Sequence, residues 1–374
     1  RFFVTQSYFV LLYIIFVWLI WYISGDKLFN SNKNPLSGLG TNLILSSFTI
    51  VCAFVHLPLR EKDLSQYSIY RNEYEDSGFS LKVARLMCHL SWQAYGIPKG
   101  IETDNPNEYP VNLEDSSLNL YEIGQSKDYD VQWLIAEGKG IVTVAFRGSI
   151  SFVNVTTNLR IYHRLVNNNF WYTGDLRFIS PSQQKMQHGS TMVHAGFLQS
   201  YLVVRKSVFK FLNALARDKN KETIFYFTGH SLGAALATLC CLETRCRMGC
   251  DVRLYTFGSP RVGCSSFSNL FRALIPKNDC FRIVFERDIV TAYPTELASY
   301  RHVDSEVYMN RAGNIIFAPN VVEKSLMPSK TSIEDHLLAN YRKAIDMACL
   351  QLNIEKTKKI DFIEEAEIGQ SDGI

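Results

Sequence analysis

The 374-residue chain is 47% hydrophobic and 20% charged, a composition that excludes a disordered tail protein. Its 39 Lys and Arg against 36 Asp and Glu leave a net charge of +3, too weak a bias for a nucleic-acid binder by bulk charge. At roughly 150 residues per domain the length allows two or three domains, or one large α/β domain with additions. None of the nine cysteines (Cys52, Cys88, Cys240, Cys241, Cys246, Cys250, Cys264, Cys280 and Cys349) forms a C-x-x-C, which excludes zinc-ribbon and thioredoxin readings. They read as small buried hydrophobes and favour a reducing compartment.

Residues 2–25 carry no charge. As a helix they would span roughly 36 Å, enough for a bilayer core of about 30 Å. Trp18, Trp21 and Tyr22 gather near one end like an interfacial belt. The run is longer than the apolar centre of a signal peptide, and no A-x-A follows. A second apolar stretch fills 40–59, beyond a polar Asn/Ser/Pro link. The expectation is a transmembrane hairpin over 1–62, a multi-pass membrane protein, and a catalytic domain facing the cytosol.

From Gly78 the texture becomes ordinary α/β. Val83, Leu86, Met87, Leu90 and Ala94 give Lys82–Tyr95 helical spacing, and Gly96-Ile97-Pro98 ends it. The polar loop around Asp104 is not a calcium loop, because Pro106 and Tyr109 stand where a ligand and the required Gly should be. Val131–Ala136 and Ile141–Phe146 read as a hairpin. Strands at Thr223–Thr228, Val252–Phe257 and Phe281–Phe285, with a helix from Ser231 to about Met248, imply a mostly parallel sheet flanked by helices. The alternation Tyr300–Tyr308 reads as one more strand. Residues 351–374 read as a charged, solvated tail.

Gly229-His230-Ser231-Leu232-Gly233 fits G-x-S-x-G between a β-branched, aromatic strand and an alanine-rich helix. That turn points a serine hydroxyl out of the sheet edge, and its glycines admit a strained backbone and a close helix. Ser231 is therefore the candidate nucleophile. In such a turn the acid and then the base follow in chain order, which leaves His302 and His336 of the eight histidines. His302 lies in a strand-like run and His336 follows a loop, so His336 is the favoured base. Asp288 lies just past a strand end and is the favoured acid, with Glu286 and Asp304 as competitors. The Leu232 N–H is one expected oxyanion donor. Ser149, after Ile141–Phe146, is a second candidate donor or else a helix N-cap.

Phe146-Arg147-Gly148-Ser149, His194-Ala195-Gly196-Phe197, Gly229–Gly233, Thr256–Gly263, Tyr300–Val303 and Asp335-His336 with Tyr341 occur in one order. In these blocks, spread over about residues 80–345, the chain resembles the class 3, or fungal-type, lipases. The resemblance implies an α/β-hydrolase with a mostly parallel central sheet over 78–350, here preceded by the expected hairpin. It implies hydrolysis of carboxylic esters on lipids without cofactor or metal. It carries over Ser231, Asp288 and His336 as the triad and Ser149 with Leu232 as oxyanion donors. The sequence departs from the family's D-x-V-P, reading Asp288-Ile289-Val290-Thr291 with the proline delayed to Pro294. Membrane spans before such a domain are similar to diacylglycerol lipases of animal cells.

Phe152, Val155, Leu159 and Tyr162 form one helical stripe, read as a lid over the site or else as a core-packed helix. The sequon Asn154-Val155-Thr156 falls on it and is read as unused. The expectation is an acylglycerol lipase acting on lipid at a bilayer or droplet surface, without nucleic acid. A phospholipase or galactolipase of the same mechanism, and a non-catalytic lipid-binding scaffold, are the alternatives.

Overall fold

The computed structural model describes residues 78–96, 118–126, 129–138, 140–149, 162–171, 189–217, 223–320, 323–324, 327 and 331–352. The expected spans at 2–25 and 40–59, the lid stripe apart from Tyr162, and the tail beyond 352 lie outside the described residues. All elements named below belong to the unit Tyr67–Pro319 with Lys330–Ile374.

In chain order, helix α1 (Leu81–Gln93) leads to strands β1 (Asn119–Ser126), β2 (Val131–Gly138), β3 (Ile141–Phe146), β4 (His163–Asn167) and β5 (Ser190–His194). Then come α2 (Ala195–Ala216), β6 (Ile224–His230), α3 (Leu232–Met248), β7 (Val252–Phe257), β8 (Gly263–Cys264), α4 (Ser265–Leu274) and β9 (Cys280–Phe285). The chain closes with β10 (Tyr300–Arg301), β11 (Ser305–Met309), β12 (Ile315–Phe317) and α5 (Leu338–Gln351).

Eight strands form the main sheet in the order β1-β2-β3-β6-β7-β9-β11-β12. From β3 to β11 the neighbours are parallel, and β1, β2 and β12 extend the edges antiparallel. The central strands are buried along almost their whole length and mostly apolar, as expected of strands covered on both faces. One face packs against α2, α3 and α4 through residues such as Phe227, Leu236, Leu239, Val204 and Phe267. The other packs against α1 and α5 through Leu86, Leu90, Tyr226, Phe281 and Ile345. A separate four-stranded sheet runs β10-β8-β5-β4.

The expected helix over Lys82–Tyr95 is α1 with a 3-10 turn at Ala94–Gly96, capped where the Ser80 hydroxyl accepts from Val83 N–H at 3.2 Å. The expected hairpin and parallel strands sit within two residues of their predicted bounds. The single strand expected over Tyr300–Tyr308 is instead two strands in different sheets, β10 and β11. The chain breaks between them because the His302 carbonyl accepts from Ser268 Oγ and Arg272, each at 2.8 Å, while Asp304 turns inward to Arg282 at 3.0 Å. Neither the small sheet nor α2 is anticipated, although Phe197, Tyr201, Val204, Val208 and Leu212 repeat with helical spacing.

Among the described residues no helix is long and apolar enough to cross a membrane. The 22-residue α2 carries Arg205, Lys206 and Lys210. The eight described cysteines are free thiols, all buried except the half-buried Cys250. Burial raises Cys88, Cys240, Cys241 and Cys280, which keeps them protonated and unreactive at neutral pH.

One buried acid ties α2 to α3. Glu243 is fully buried and binds Arg205 Nη2 at 2.5 Å, Arg247 Nη1 at 2.9 Å and the Tyr201 hydroxyl at 2.7 Å. The two guanidinium groups lie over the Phe170 and Phe209 rings at 4.5 and 4.7 Å. Removing one partner of a fully buried pair costs about 3–5 kcal/mol. Both arginines reach solvent, so Glu243→Ala is expected at the low end, about 3 kcal/mol, read as a lower urea midpoint at unchanged slope.

Candidate active site

The site forms where the parallel strands end, the edge at which sheets of this kind bind ligands. β6 finishes at His230, and Ser231 follows at φ 58° and ψ −123°, a left-handed conformation that costs a non-glycine residue about 1–3 kcal/mol. Tight packing holds it there. A Cβ on Gly229 would overlap the Gly233 carbonyl, and one on Gly233 would overlap the Phe146 carbonyl. Only glycine at both positions lets α3 pass this close to β6 and β3. The Ser231 N–H donates to the Phe257 carbonyl at 3.1 Å, which anchors the turn to β7. The Ser231 hydroxyl is buried and has no hydrogen-bond partner among the described residues.

Asp288 and His336 meet. His336 Nδ1 lies 2.8 and 3.0 Å from the two Asp288 carboxylate oxygens. Both residues are buried, and so is His336 Nε2 at the opposite side of the ring. Asp288 starts a 3-10 turn, Ile289–Ala292, and accepts from Val290 N–H at 2.8 Å. It also accepts from the Tyr341 hydroxyl at 2.6 Å. Burial pushes the carboxyl up, but His336 and the two further donors outweigh it and hold Asp288 below its ordinary value. Tyr341 responds oppositely: burial and the Asp288 charge push it well up, so it stays a donor.

Gly258, at φ +58°, supplies clearance beneath the pair. A Cβ there would stand 2.7 Å from Asp288 Oδ2 and 3.0 Å from His336 Nδ1. Where the family places its proline, the Thr291 hydroxyl donates to the Asp288 carbonyl at 2.8 Å and closes the turn from within. His302 donates from Nε2 to the Thr291 carbonyl at 2.9 Å, a structural tie rather than a reach toward Ser231. The competing acids are occupied elsewhere. Glu286 accepts from the Tyr308 hydroxyl and the Arg311 N–H, and Asp304 pairs with Arg282. Asp335, fully buried beside His336, binds Arg311 at 2.7 Å and Arg287 at 3.5 Å and pins the loop of His336.

Ser149 is half-buried and follows Gly148, whose built Cβ would lie 3.2 Å from Ser231 Cβ. The loop carrying Ser149 thus abuts the nucleophile turn. Leu232 is the first residue of α3, where backbone N–H groups lack intrahelical acceptors and the helix dipole is positive. Two residues of this end escape sequence reasoning, His230 and Tyr95. His230 was set aside by chain order, and its neighbourhood to Ser231 was the available signal. Tyr95 carries none, because it arrives from 136 residues before the nucleophile.

Residues 143–298 match the family model described as Lipase (class 3). The chain is 32% identical over 226 residues to a lipase of Rhizomucor miehei, covering 56% of this chain and 55% of that protein. It is 26% identical over 255 residues to the secreted mono- and diacylglycerol lipase LIP1 of Malassezia globosa, covering 63% and 78%. The crystal structure of Lip2 lipase from Yarrowia lipolytica superposes with a TM-score of 0.52 at 22% identity, covering 72% of this chain and 92% of that one. These matches support the class 3 lipase family and an α/β-hydrolase fold with a mostly parallel central sheet. The chain spans about half the length of the Rhizomucor relative.

The expected multi-pass membrane localisation is overturned. The apolar runs that suggested it lie outside the described residues, no described helix can cross a membrane, and the Malassezia relative is a secreted lipase.

A carboxylate held below its ordinary value stabilises the fold above that value, and the contribution is lost as pH falls through it. Tyr341→Phe removes one donor to the Asp288 charge and is expected to cost about 1.5–3 kcal/mol at pH 7. The gap to the unmodified protein should narrow toward pH 3, as urea unfolding at the two pH values would reveal.

Proposed function

We propose that the protein is a serine lipase that hydrolyses carboxylic esters of acylglycerols. The observation that carries this reading is the buried Asp288–His336 pair, whose loop is hydrogen-bonded to His230, the residue before a serine held in a left-handed turn at the sheet edge. The Ser231 oxygen attacks the ester carbonyl carbon while His336 Nε2 takes the hydroxyl proton. The carbonyl oxygen becomes an oxyanion, stabilised by the Leu232 N–H and by the Ser149 backbone and hydroxyl. The carbon–oxygen bond to the alcohol then breaks, and the imidazolium returns its proton to that oxygen. Water, deprotonated by His336, releases the fatty acid by the same steps in reverse. Asp288 holds the imidazole by Nδ1 and stabilises its charged form throughout.

The surface beside the site suits an apolar substrate phase. Ile333 and Leu337 flank His336, Tyr293 and Leu297 follow Asp288, and all four are exposed, Leu297 almost completely at 99%. Large side chains left bare on the loops that carry Asp288 and His336 suit a contact surface. The Malassezia relative, named a mono- and diacylglycerol lipase, supports glycerides as the substrate class.

Ser231→Ala is expected to lower kcat by about 10³-fold or more and to abolish labelling by a fluorophosphonate. Asp288→Asn should lower kcat by about 10⁴-fold in a folded protein. Full turnover by Ser231→Ala on a glyceride would refute the mechanism. Leu297→Asp should lower the rate on emulsified glyceride by about 30-fold, given about 2 kcal/mol for burying a leucine, relative to the rate on a soluble short-chain ester. An equal effect on both substrates would remove Leu297 from the lipid contact.

A further inference from the structure

Two polar groups at this end have no part in the mechanism above, the buried His230 and the half-buried Tyr95. They lie between three segments that the reaction needs in fixed register. The His230 ring stacks beside the His336 ring with centroids 4.6 Å apart, and its Nε2 lies 2.7 Å from the His336 backbone carbonyl. A carbonyl can only accept, so His230 Nε2 carries the proton and Nδ1 is an acceptor. The Tyr95 hydroxyl, 2.8 Å away, donates to that Nδ1. The same phenol oxygen packs closely against Gly148. A Cβ on Gly148 would overlap it, so the glycine is what admits the contact. Two hydrogen bonds thus run from Tyr95, packed on the Gly148 loop, through His230 to the loop of His336.

We propose that Tyr95 and His230 are positioning residues, a neutral hydrogen-bonded link that sets the His336 imidazole and the Ser149 loop at fixed distances from Ser231. The proposal rests on the serine-lipase reading of the site. His230 directly precedes Ser231, so the link is covalently tied to Ser231 at its middle, packed against the Ser149 loop at one end and hydrogen-bonded to the His336 loop at the other. Its neutrality suits the reaction. Burial and the adjacent His336 lower His230 to about 3, so a second positive charge does not oppose the imidazolium that forms on His336. A tyrosine donor on Nδ1 keeps the tautomer that can hold the carbonyl, and small displacements of a catalytic group cost rate steeply.

Steady-state kinetics on a soluble p-nitrophenyl butyrate, with thermal unfolding of each variant alongside, tests the link. Tyr95→Phe deletes one oxygen and should lower kcat about tenfold with KM unchanged. His230→Leu should lower kcat about 100-fold, again with KM unchanged. His230→Gln, whose amide N–H reaches the same carbonyl, should recover most of that loss. A kcat for Tyr95→Phe equal to that of the unmodified protein would overturn the proposal, as would a His230→Gln as impaired as His230→Leu. Losses that follow the fall in unfolding temperature across the three variants would also overturn it, because a purely structural role predicts that. If His230→Leu does not fold, Tyr95→Phe decides alone. Ser231→Ala separates the two levels of inference. If it is inactive while Tyr95→Phe is unimpaired, the link fails and the lipase reading stands. If it remains active, both fail.

Discussion

The architecture of this end depends on one close approach, that of α3 to the sheet at Gly229 and Gly233. Without side chains there, the helix starts immediately behind β6, and its first N–H groups face the space over the strand ends. Ser231 is the residue that must bridge a strand and a helix in so short a distance, and its left-handed backbone is the result. The strain is local, but the restraint is not. The Ser231 N–H is tied to β7, and a Cβ on Gly233 would overlap the carbonyl of the last β3 residue. A change in either neighbouring strand would therefore move the serine.

The same logic of clearance recurs at Gly258 and Gly148. One admits the Asp288–His336 pair and the other admits the Tyr95 hydroxyl. Each of these glycines lies within a few residues of a strand end, on a loop that must come within touching distance of another. The parallel order β3-β6-β7-β9 brings those loops to a single edge, which is why groups scattered from Tyr95 to Tyr341 can share one set of hydrogen bonds.

Sequence reasoning reached much of this, and the physical reasons are uneven. The G-x-S-x-G turn was legible because strand, glycines and helix are all local signals, and the order rule then left few candidates. Asp288 and His336 were reached partly through position after a strand and partly through resemblance, and the structure places the two in contact. The small sheet escaped because β8 and β10 are only two residues long and exist through pairing alone. The strand expected over Tyr300–Tyr308 failed for a related reason. Alternation reports which residues face inward, not which sheet receives them, and Asp304 was buried by a charge partner, Arg282, that no local pattern reveals. Tyr95 and His230 lie further still from legibility, since their meaning is wholly tertiary.

The charge distribution around His336 suits the proposed reaction. The buried charges of the core are paired: Glu243 with two arginines, Arg282 with Asp304 and Glu306, and Arg147 with Asp130. Around the His336 ring the nearest groups are the Asp288 carboxylate and the neutral His230, with the Tyr341 hydroxyl on that carboxylate and the Tyr95 hydroxyl on His230. One fixed negative charge and a set of oriented neutral dipoles is the arrangement that favours a transient imidazolium most, because the dipoles need not reorganise when the proton arrives. A second buried acid at the ring would hold the base permanently protonated and idle, and a second cation would keep it from protonating at all. Asp335 shows how narrowly the fold avoids the first outcome: it is adjacent in sequence to His336 yet is turned away and neutralised by Arg311 and Arg287.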